Sequence, residues 1–420
     1  MTMRSMLSTS CAAALLFAAG PAAAGPDFDQ GVDVHPVLEA ARAAPAAAVA
    51  GAAQETVWVR LAKADLPALR GELGSLRAPA AASDERTAVF QVPEADLERL
   101  SLAIREKLGR HGGFIAYRTL RAAQQAVSQA PAAPSAREYS IDQEARVAPM
   151  LLRVDEPAIS RTITKLAGFK NRYYRSETGA AAARWVREQW AEIARSRPDV
   201  RVELRSHEGW AQPSVVLTIP GAKQSGPTVV LGGHLDTTSG SSAGAPGADD
   251  NASGVGVLTE ALRVLLASGY RPARTLQVIA FAAEEVGLRG SQDIAEAYQA
   301  EGRDVLGVVQ FDMAGYKGST ADIYFISDHT NAALNAFLGR LVDRYTGLRW
   351  DSTECGYACS DHASWTAAGF PASFPFEAKN GEDNPNYHST RDTLAGMGGN
   401  SNHAAKFAKL AVAAAVELAK

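Results

Sequence analysis

Only three cysteines occur in 420 residues, and one of them, Cys11, lies near the start. That scarcity excludes a disulfide-dense small scaffold and a cysteine-rich structural zinc module. Beyond one short run at the start, no stretch approaches the roughly 20 apolar residues that a membrane-spanning helix needs. Basic residues are not in excess: 42 Lys and Arg stand against 46 Asp and Glu, a formal net charge of -4. The chain as a whole therefore has no electrostatic claim on nucleic acid or on an anionic membrane. Phosphate-binding signatures are missing too. The Gly/Ser-rich stretch 240–247 lacks a GKS or GKT ending, and no GxGxxG opens a helix in the right place. A GxSxG nucleophile elbow is also absent.

What remains is material for a folded core. Hydrophobic residues make up 46% of the chain and charged residues 21%, within the range of globular proteins, and the length suits two folded units. Arg4, the apolar run Ala12–Ala19 and Ala22-Ala23-Ala24 before Gly25 read as a signal peptide over residues 1–24. The expectation is an exported protein, extracellular or periplasmic, with no membrane anchor. Its removal leaves Cys355 and Cys359. In an exported chain this even pair suits a disulfide; two free core thiols are the alternative.

Composition then divides the chain. Residues 25–54 are rich in Ala and Pro. From Glu55 to Val127 the pattern is mixed, with a strand at Thr56–Val59 and amphipathic helices over Asp65–Leu73, capped by Asp65, and Glu94–Leu108. Ser128–Ser135 (SQAPAAPS) reads as a linker. This sets a small α+β leader domain over residues 25–135, either a pro-segment or a permanent accessory domain, and a main domain over 136–420. In the main domain, apolar strands are expected at Val200–Leu204, Ser214–Ile219, Thr228–Leu231, Thr275–Ala282, Val305–Phe311, Ile323–Ile326 and Ala372–Phe376. Helices are expected at Pro157–Leu166, Ala180–Ala194, Ser253–Leu266, Ser291–Glu301, Asn331–Tyr345 and Ala404–Leu418. That alternation implies an α/β fold, a mostly parallel twisted sheet flanked by helices. Reacting groups in such sheets lie beyond the carboxyl ends of the strands.

The strand ends are where the chemistry gathers. His234-Leu235-Asp236 follows TVVLGG, Asp249-Asp250-Asn251 follows the Gly/Ser-rich loop, Glu284-Glu285 follows TLQVIAFAA, Asp312 follows VVQF, and His388 sits in YHST. Each residue alone has an ordinary reading: a core histidine for His234, a loop histidine for His388, a turn for Asp236, a helix cap for Asp250, a solvated helix start for the glutamates. Their coincidence of placement is the signal. Carboxylates crowded in one cleft raise one another's pKa. Divalent cations relieve that, and mixed imidazole and carboxylate ligation suits zinc, cobalt or manganese rather than calcium. A bridged pair of metals would clamp both the attacking and the intermediate oxygen of a hydrolysis.

The strings GGHLDT, PGADDNASG, AAEEVGLRGSQD, DMAGYKG, CGYACSDHASW, PFE and YHSTRDT, in this order from about Tyr139 to Lys420, resemble the secreted bacterial leucyl aminopeptidases, zinc peptidases with two co-catalytic metals. The region Glu55–Val127 is similar, less specifically, to the propeptide of such enzymes. The resemblance implies a zinc-peptidase/phosphorylase-like fold holding two Zn2+ per chain. It implies His234 and Asp312 on one zinc, Glu285 and His388 on the other, and Asp250 as the bridge. Glu284 resembles the general base and acid, Asp236 the carboxylate that orients His234, and Tyr357 a donor to the developing oxyanion. Cys355 and Cys359 match the family disulfide, and the Asp250–Asn251 peptide matches a cis bond. Met313, Ile326, Tyr357, Phe374 and Phe376 match an apolar pocket for the first side chain of a peptide with a free N-terminus. A monomer is expected. A carboxypeptidase or deacylase on the same frame is the alternative; it would need a basic residue to read the substrate carboxylate, and the sequence assigns that role to none.

Overall fold

The alternating run TVWVRLA sends Val57, Val59 and Leu61 to one buried face and forms the strand β1 (Thr56–Ala62). The computed structural model that shows this describes residues 55–110, 112–128, 137–223, 226–239 and 243–420. The expected signal segment with Cys11, the Ala/Pro-rich stretch 25–54, almost all of the linker and residues 240–242 of the Gly/Ser-rich loop lie outside the described residues.

Around β1 are built α1 (Leu66–Leu69), β2 (Ala82–Ser83), β3 (Thr87–Pro93), α2 (Leu97–Leu108), β4 (Phe114–Tyr117) and α3 (Leu120–Ser128). The strands form a sheet in the order β2-β3-β1-β4, antiparallel throughout. The helix expected over Asp65–Leu73 is only one short turn, and Asp65 does not cap it. Its carboxylate is buried and takes the Arg110 guanidinium instead; Pro67 at the second position fits the turn that does form.

The main layer follows. Helices α4 (Glu144–Leu151), α5 (Glu156–Ala167) and α6 (Glu177–Ala194) lead to β5 (Arg201–Arg205), β6 (Ser214–Ile219) and β7 (Thr228–His234). Then come α7 (Ala252–Ala267), β8 (Leu276–Phe281), α8 (Arg289–Ala300), β9 (Val305–Gln310), β10 (Ile323–Ile326) and α9 (Ala332–Tyr345). The chain closes with β11 (Trp350–Thr353), α10 (His362–Ala367), β12 (Ala372–Ser373), β13 (Pro375–Phe376) and α11 (Asn402–Leu418). The sheet order is β12-β9-β7-β8-β6-β5. The β12–β9, β9–β7 and β7–β8 pairs are parallel, and β8–β6 and β6–β5 antiparallel. The mostly parallel sheet expected from the sequence is thus observed, with an antiparallel edge. The single strand expected at Ala372–Phe376 is split: β12 joins the main sheet, while β13 pairs β10 in a second sheet of order β11-β10-β13. Pro375 lacks the N–H that an uninterrupted ladder would use.

Strand periodicity explains why both faces are covered. Val215, Leu217, Val229, Leu231, Val278 and Ala280 point into the larger core under α5, α7 and α11. Their neighbours Val216, Val230, Ile279 and Phe281 point the other way, onto α8 and the Trp365 of α10. Such strands are apolar on both sides, as a doubly covered sheet demands. Residues 55–128 do not close a core alone. Val57, Phe90, Leu97 and Phe114 share theirs with Tyr174, Ala282, Ala283 and Val286, and Gln54–Lys420 form one compact unit. Among the described residues no helix is long and apolar enough to cross a membrane.

Candidate metal centre and cleft

Strand ends deliver the expected side chains to one place. His234 is the last residue of β7, Glu284 and Glu285 follow β8, and Asp312 follows β9. Asp250 and Asn251 sit at the mouth of α7. It is Asn251, not Asp250, that caps that helix, accepting the Gly254 N–H on Oδ1 at 2.9 Å and donating from Nδ2 to Phe311 O at 2.9 Å. That leaves the Asp250 carboxylate free of capping. The Asp250–Asn251 peptide is cis.

Two groups of buried donors result, His234 with Asp250 and Asp312, and Asp250 with Glu285 and His388. His234 Nε2 lies 3.0 Å from Asp250 Oδ1 and 3.2 Å from Asp312 Oδ1. His388 Nε2 lies 3.0 Å from Asp250 Oδ2 and 2.5 Å from Glu285 Oε2. One ring nitrogen carries at most one hydrogen, so His234 cannot bond to both carboxylates at once. A cation at the centre of each group would engage all three donors. The imidazole and carboxylate set suits zinc, whose bonds to such atoms are about 2.0–2.2 Å. Buried Glu285 Oε1, which makes no hydrogen bond, fits the same reading. Asp250 belongs to both groups through its two oxygens.

The supporting bonds are as ordered as the donors. Asp236 accepts the Glu284 N–H on Oδ1 at 2.9 Å and the Glu285 N–H on Oδ2 at 3.0 Å, and its Oδ1 faces His234 Nδ1 at 3.5 Å. Asp392 does the same for Asp249 and Asp250, at 2.9 and 3.0 Å. Ser360 Oγ donates to Asp312 Oδ2 at 2.6 Å. Ala283, Met313 and His388 all have positive φ, a conformation expensive for non-glycine residues and kept where the surroundings over-determine it.

Electrostatics follow from crowding. Burial pushes Glu284 well above the usual carboxylate range, opposed by His234 and reinforced by Asp312 and Asp361. Burial, with the Asp250 charge, lifts Glu285 to about 7. Burial opposes protonation of His388, yet Glu285 and Asp250 win and lift it to about 10. Asp361 and Asp392, both buried, rise to about 7 and about 8. So much acid in so little water is the signature of a cation site.

Beside the donors lies an apolar cluster of Met313, Ile326, Tyr357, Cys359, Phe374, Phe376 and Tyr387. It contains the whole pocket set expected from the sequence, and Tyr387 adds a wall that the motifs did not single out. Cys355 and Cys359 are disulfide-bonded, with Cα atoms 6.3 Å apart. The Cys355 and Gly356 amides are held by the Asp328 carboxylate, at 2.9 Å each.

The sequence profile of peptidase family M28 matches residues 214–413. A probable leucine aminopeptidase of Arthroderma benhamiae is 39% identical over 286 residues, covering 67% of this chain and 78% of the relative. The chain belongs to peptidase family M28. It is accordingly a zinc-dependent aminopeptidase. Leucine aminopeptidase 1 of Ajellomyces dermatitidis is 36% identical over 288 residues, 65% of this M28 peptidase and 74% of that protein. Among solved structures, the LapA aminopeptidase of Legionella pneumophila matches with a TM-score of 0.77 and 30% identity, over 87% of this chain and 98% of the other. LapB of the same organism gives 0.76 and 30%, over 87% and 100%. The sequence relatives named are fungal and the structural ones bacterial.

Sequence reasoning missed two features of the M28 centre. One is the set of side-chain contacts by which residues 55–128, expected only as a separate leader domain, reach the pocket. Arg110 stacks over the Tyr357 ring at 4.4 Å and Arg105 over Tyr387 at 5.6 Å. Glu98 accepts from Thr238 at 3.3 Å, and Glu94 accepts from Arg289 at 2.5 Å. The other is a buried guanidinium, Arg172, behind the metal donors.

Proposed function

We propose that this aminopeptidase releases leucine and other large hydrophobic residues from the free N-terminus of peptides, using two zinc ions per chain. The observation that carries this reading is Asp250, whose two oxygens face His234 and His388 separately at 3.0 Å each. In this reading His234, Asp250 and Asp312 would hold one ion, and Asp250, Glu285 and His388 would hold the other. When bound, the ions supply the Lewis acidity that makes a water molecule nucleophilic near neutral pH.

The chain's own groups do the rest. Glu284, buried and held well above the ordinary carboxylate range, takes the proton of the attacking water and returns it to the departing amine. Tyr357 donates its phenol O–H to the oxygen that gains charge as the carbonyl carbon becomes tetrahedral. Asp236 keeps Glu284 and Glu285 in register through their backbone amides. The cluster from Met313 to Tyr387 receives an apolar side chain, and the surrounding carboxylates favour a protonated α-amine.

We also read residues 25–135 as a propeptide that blocks the cleft until removed, and residues 1–24 as an export signal. The contacts of Arg105 and Arg110 with the pocket tyrosines support the first. The deciding experiment compares Leu-p-nitroanilide with an N-acetylated peptide, before and after chelation and zinc add-back. Turnover of the free-amine substrate that is lost on chelation and restored by zinc is expected. Turnover of only the acylated substrate would overturn the reading.

A further inference from the structure

Arg172 is 1% exposed and makes every one of its side-chain hydrogen bonds to backbone carbonyls. Nε donates to Leu235 O at 2.8 Å, Nη1 to Leu166 O at 3.1 Å and Pro246 O at 2.6 Å, and Nη2 to Gly247 O at 2.8 Å. Its own backbone N–H donates to Thr237 Oγ1 at 2.9 Å, and that hydroxyl donates to Ala245 O at 3.1 Å.

The acceptors are not scattered. Leu235 stands between His234 and Asp236, at the end of β7. Pro246 and Gly247 belong to the loop that turns into Asp250. One planar group thus fastens the strand end that carries His234 to the loop that carries Asp250. The fit is tight. Gly247 has φ +53°, and a Cβ there would lie 2.2 Å from Thr237 Cγ2 and 2.9 Å from Arg172 Nη2. Burial opposes the charge of Arg172, and the nearby carboxylates of Asp392, Asp250, Asp236 and Glu285 favour it without bonding to it, so charge alone does not account for the direction of its N–H groups. A structural plug could be apolar. A fork of N–H groups in fixed directions is what a staple of four carbonyls requires, and lysine cannot reproduce it from one ammonium.

We propose that Arg172 is a positioning residue that fixes the spacing of His234 and Asp250, and so sets the affinity of the metal ion held by His234, Asp250 and Asp312. The proposal rests on the ligand reading above. Loss of the staple lets the two loops drift, and a drift of a few tenths of an ångström moves donor atoms out of a tetrahedral shell. The Glu285 and His388 side is touched through Asp250 and, less directly, through Asp236, which follows Leu235 and accepts the Glu285 N–H.

The test is a Co2+ titration of the metal-free full-length chain, followed by the visible absorption of the bound ion. The wild type should take up two equivalents. Arg172→Lys and Arg172→Gln should each bind one of them about 10–100-fold more weakly, with a changed absorption envelope and an unchanged far-ultraviolet circular dichroism spectrum. Wild-type titration and spectrum in both variants would overturn the proposal. So would wild-type behaviour in Arg172→Lys alone, because charge without the fork would then suffice. If both variants fail to fold, Thr237→Val decides. It removes the hydroxyl that receives the Arg172 N–H and leaves the guanidinium in place. A several-fold weaker first or second equivalent supports the staple, and wild-type affinity overturns it. A wild-type chain that takes up no cobalt would overturn the ligand reading itself and the proposal with it.

Discussion

The Arg110 guanidinium lies 4.4 Å from the centre of the Tyr357 ring, so the chain's own N-terminal region touches the phenol proposed to assist catalysis. Arg110 is anchored from behind by Asp65. The contact is one of several: β4 adds an Ala116 N–H bond to Gly287 O at 3.1 Å, two residues beyond Glu285. Full-length protein is therefore expected to turn over Leu-p-nitroanilide at least about 10²-fold more slowly than protein lacking residues 55–128, since even one blocked transition-state donor is worth about 10²–10³ in kcat. Cutting between residues 128 and 137 should not suffice, because Leu97, Phe114 and Val286 lie in one continuous core. The cut fragment should co-elute until it is degraded. Activity equal before and after its removal would refute the blocking role.

Glu284 and Asp236 separate chemistry from assembly. Glu284→Gln should lower kcat by about 10²–10⁴-fold and leave zinc content as in the wild type. Asp236→Asn places a donor against the amide N–H groups of Glu284 and Glu285, whose bonds now measure 2.9 and 3.0 Å. It should weaken zinc by about 10–100-fold. Metal analysis beside steady-state kinetics checks both. Identical zinc loss in the two variants would argue against the division.

Two buried histidines should cost this protein stability in mild acid. Burial, then the neighbouring His329, depresses His362 to about 3, and burial, then Lys406, depresses His403 to about 4. An unfolded histidine titrates near 6.5. Below that pH the unfolded chain binds the protons that the folded rings refuse, so the histidines' contribution is full above pH about 6.5 and is lost toward about 4 and 3. Asp322 acts later. Burial opposes its ionisation, but Lys406 holds it at about 2, so its contribution persists down to the ordinary carboxylate range near 3.9 and fades between there and about 2. In chelated protein the raised carboxylates of the centre act in the opposite direction over this range, Glu285 and Asp361 at about 7 and Asp392 at about 8, so the histidines are read as a difference: from pH 7.5 to 4.5 the melting temperatures of His362→Leu and His403→Leu should rise relative to wild type. Equal slopes would remove the histidines from the account.

Gly254, in the first turn of α7, has no room for a methyl group. A Cβ there would sit 2.2 Å from Phe311 O and 2.3 Å from Asn251 Oδ1. Gly254→Ala should cost about 1–3 kcal/mol and displace Asn251, which also accepts the Met313 N–H at 3.3 Å. Thermal unfolding measures the first effect and cobalt binding the second. A variant as stable as wild type would show that the loop yields.

Much of the layout was legible in the sequence for a physical reason. Strands buried on both faces are apolar without interruption, so SVVLTI and VLGVVQ announce themselves, and a parallel sheet directs the donors to its carboxyl edge. Asp250 was ambiguous between ligand and cap, and the structure gives the cap to Asn251. Arg172 left no local trace. Its acceptors are carbonyls, which every residue has, and they lie 63 to 75 positions away for Leu235, Pro246 and Gly247. Splitting β12 from β13 was likewise invisible, because neighbouring residues pair with β9 and β10 in different sheets.

Asp392 reaches back 143 positions to grip Asp249, and Asp236 reaches forward 48 to grip Glu284. No short fragment of the chain can contain the centre, so it arises only with the complete tertiary structure. Metal occupancy and global unfolding are then one linked equilibrium. Damage anywhere that loosens the sheet should therefore weaken metal binding, and a bound metal should in turn act as a keystone for elements that never touch it.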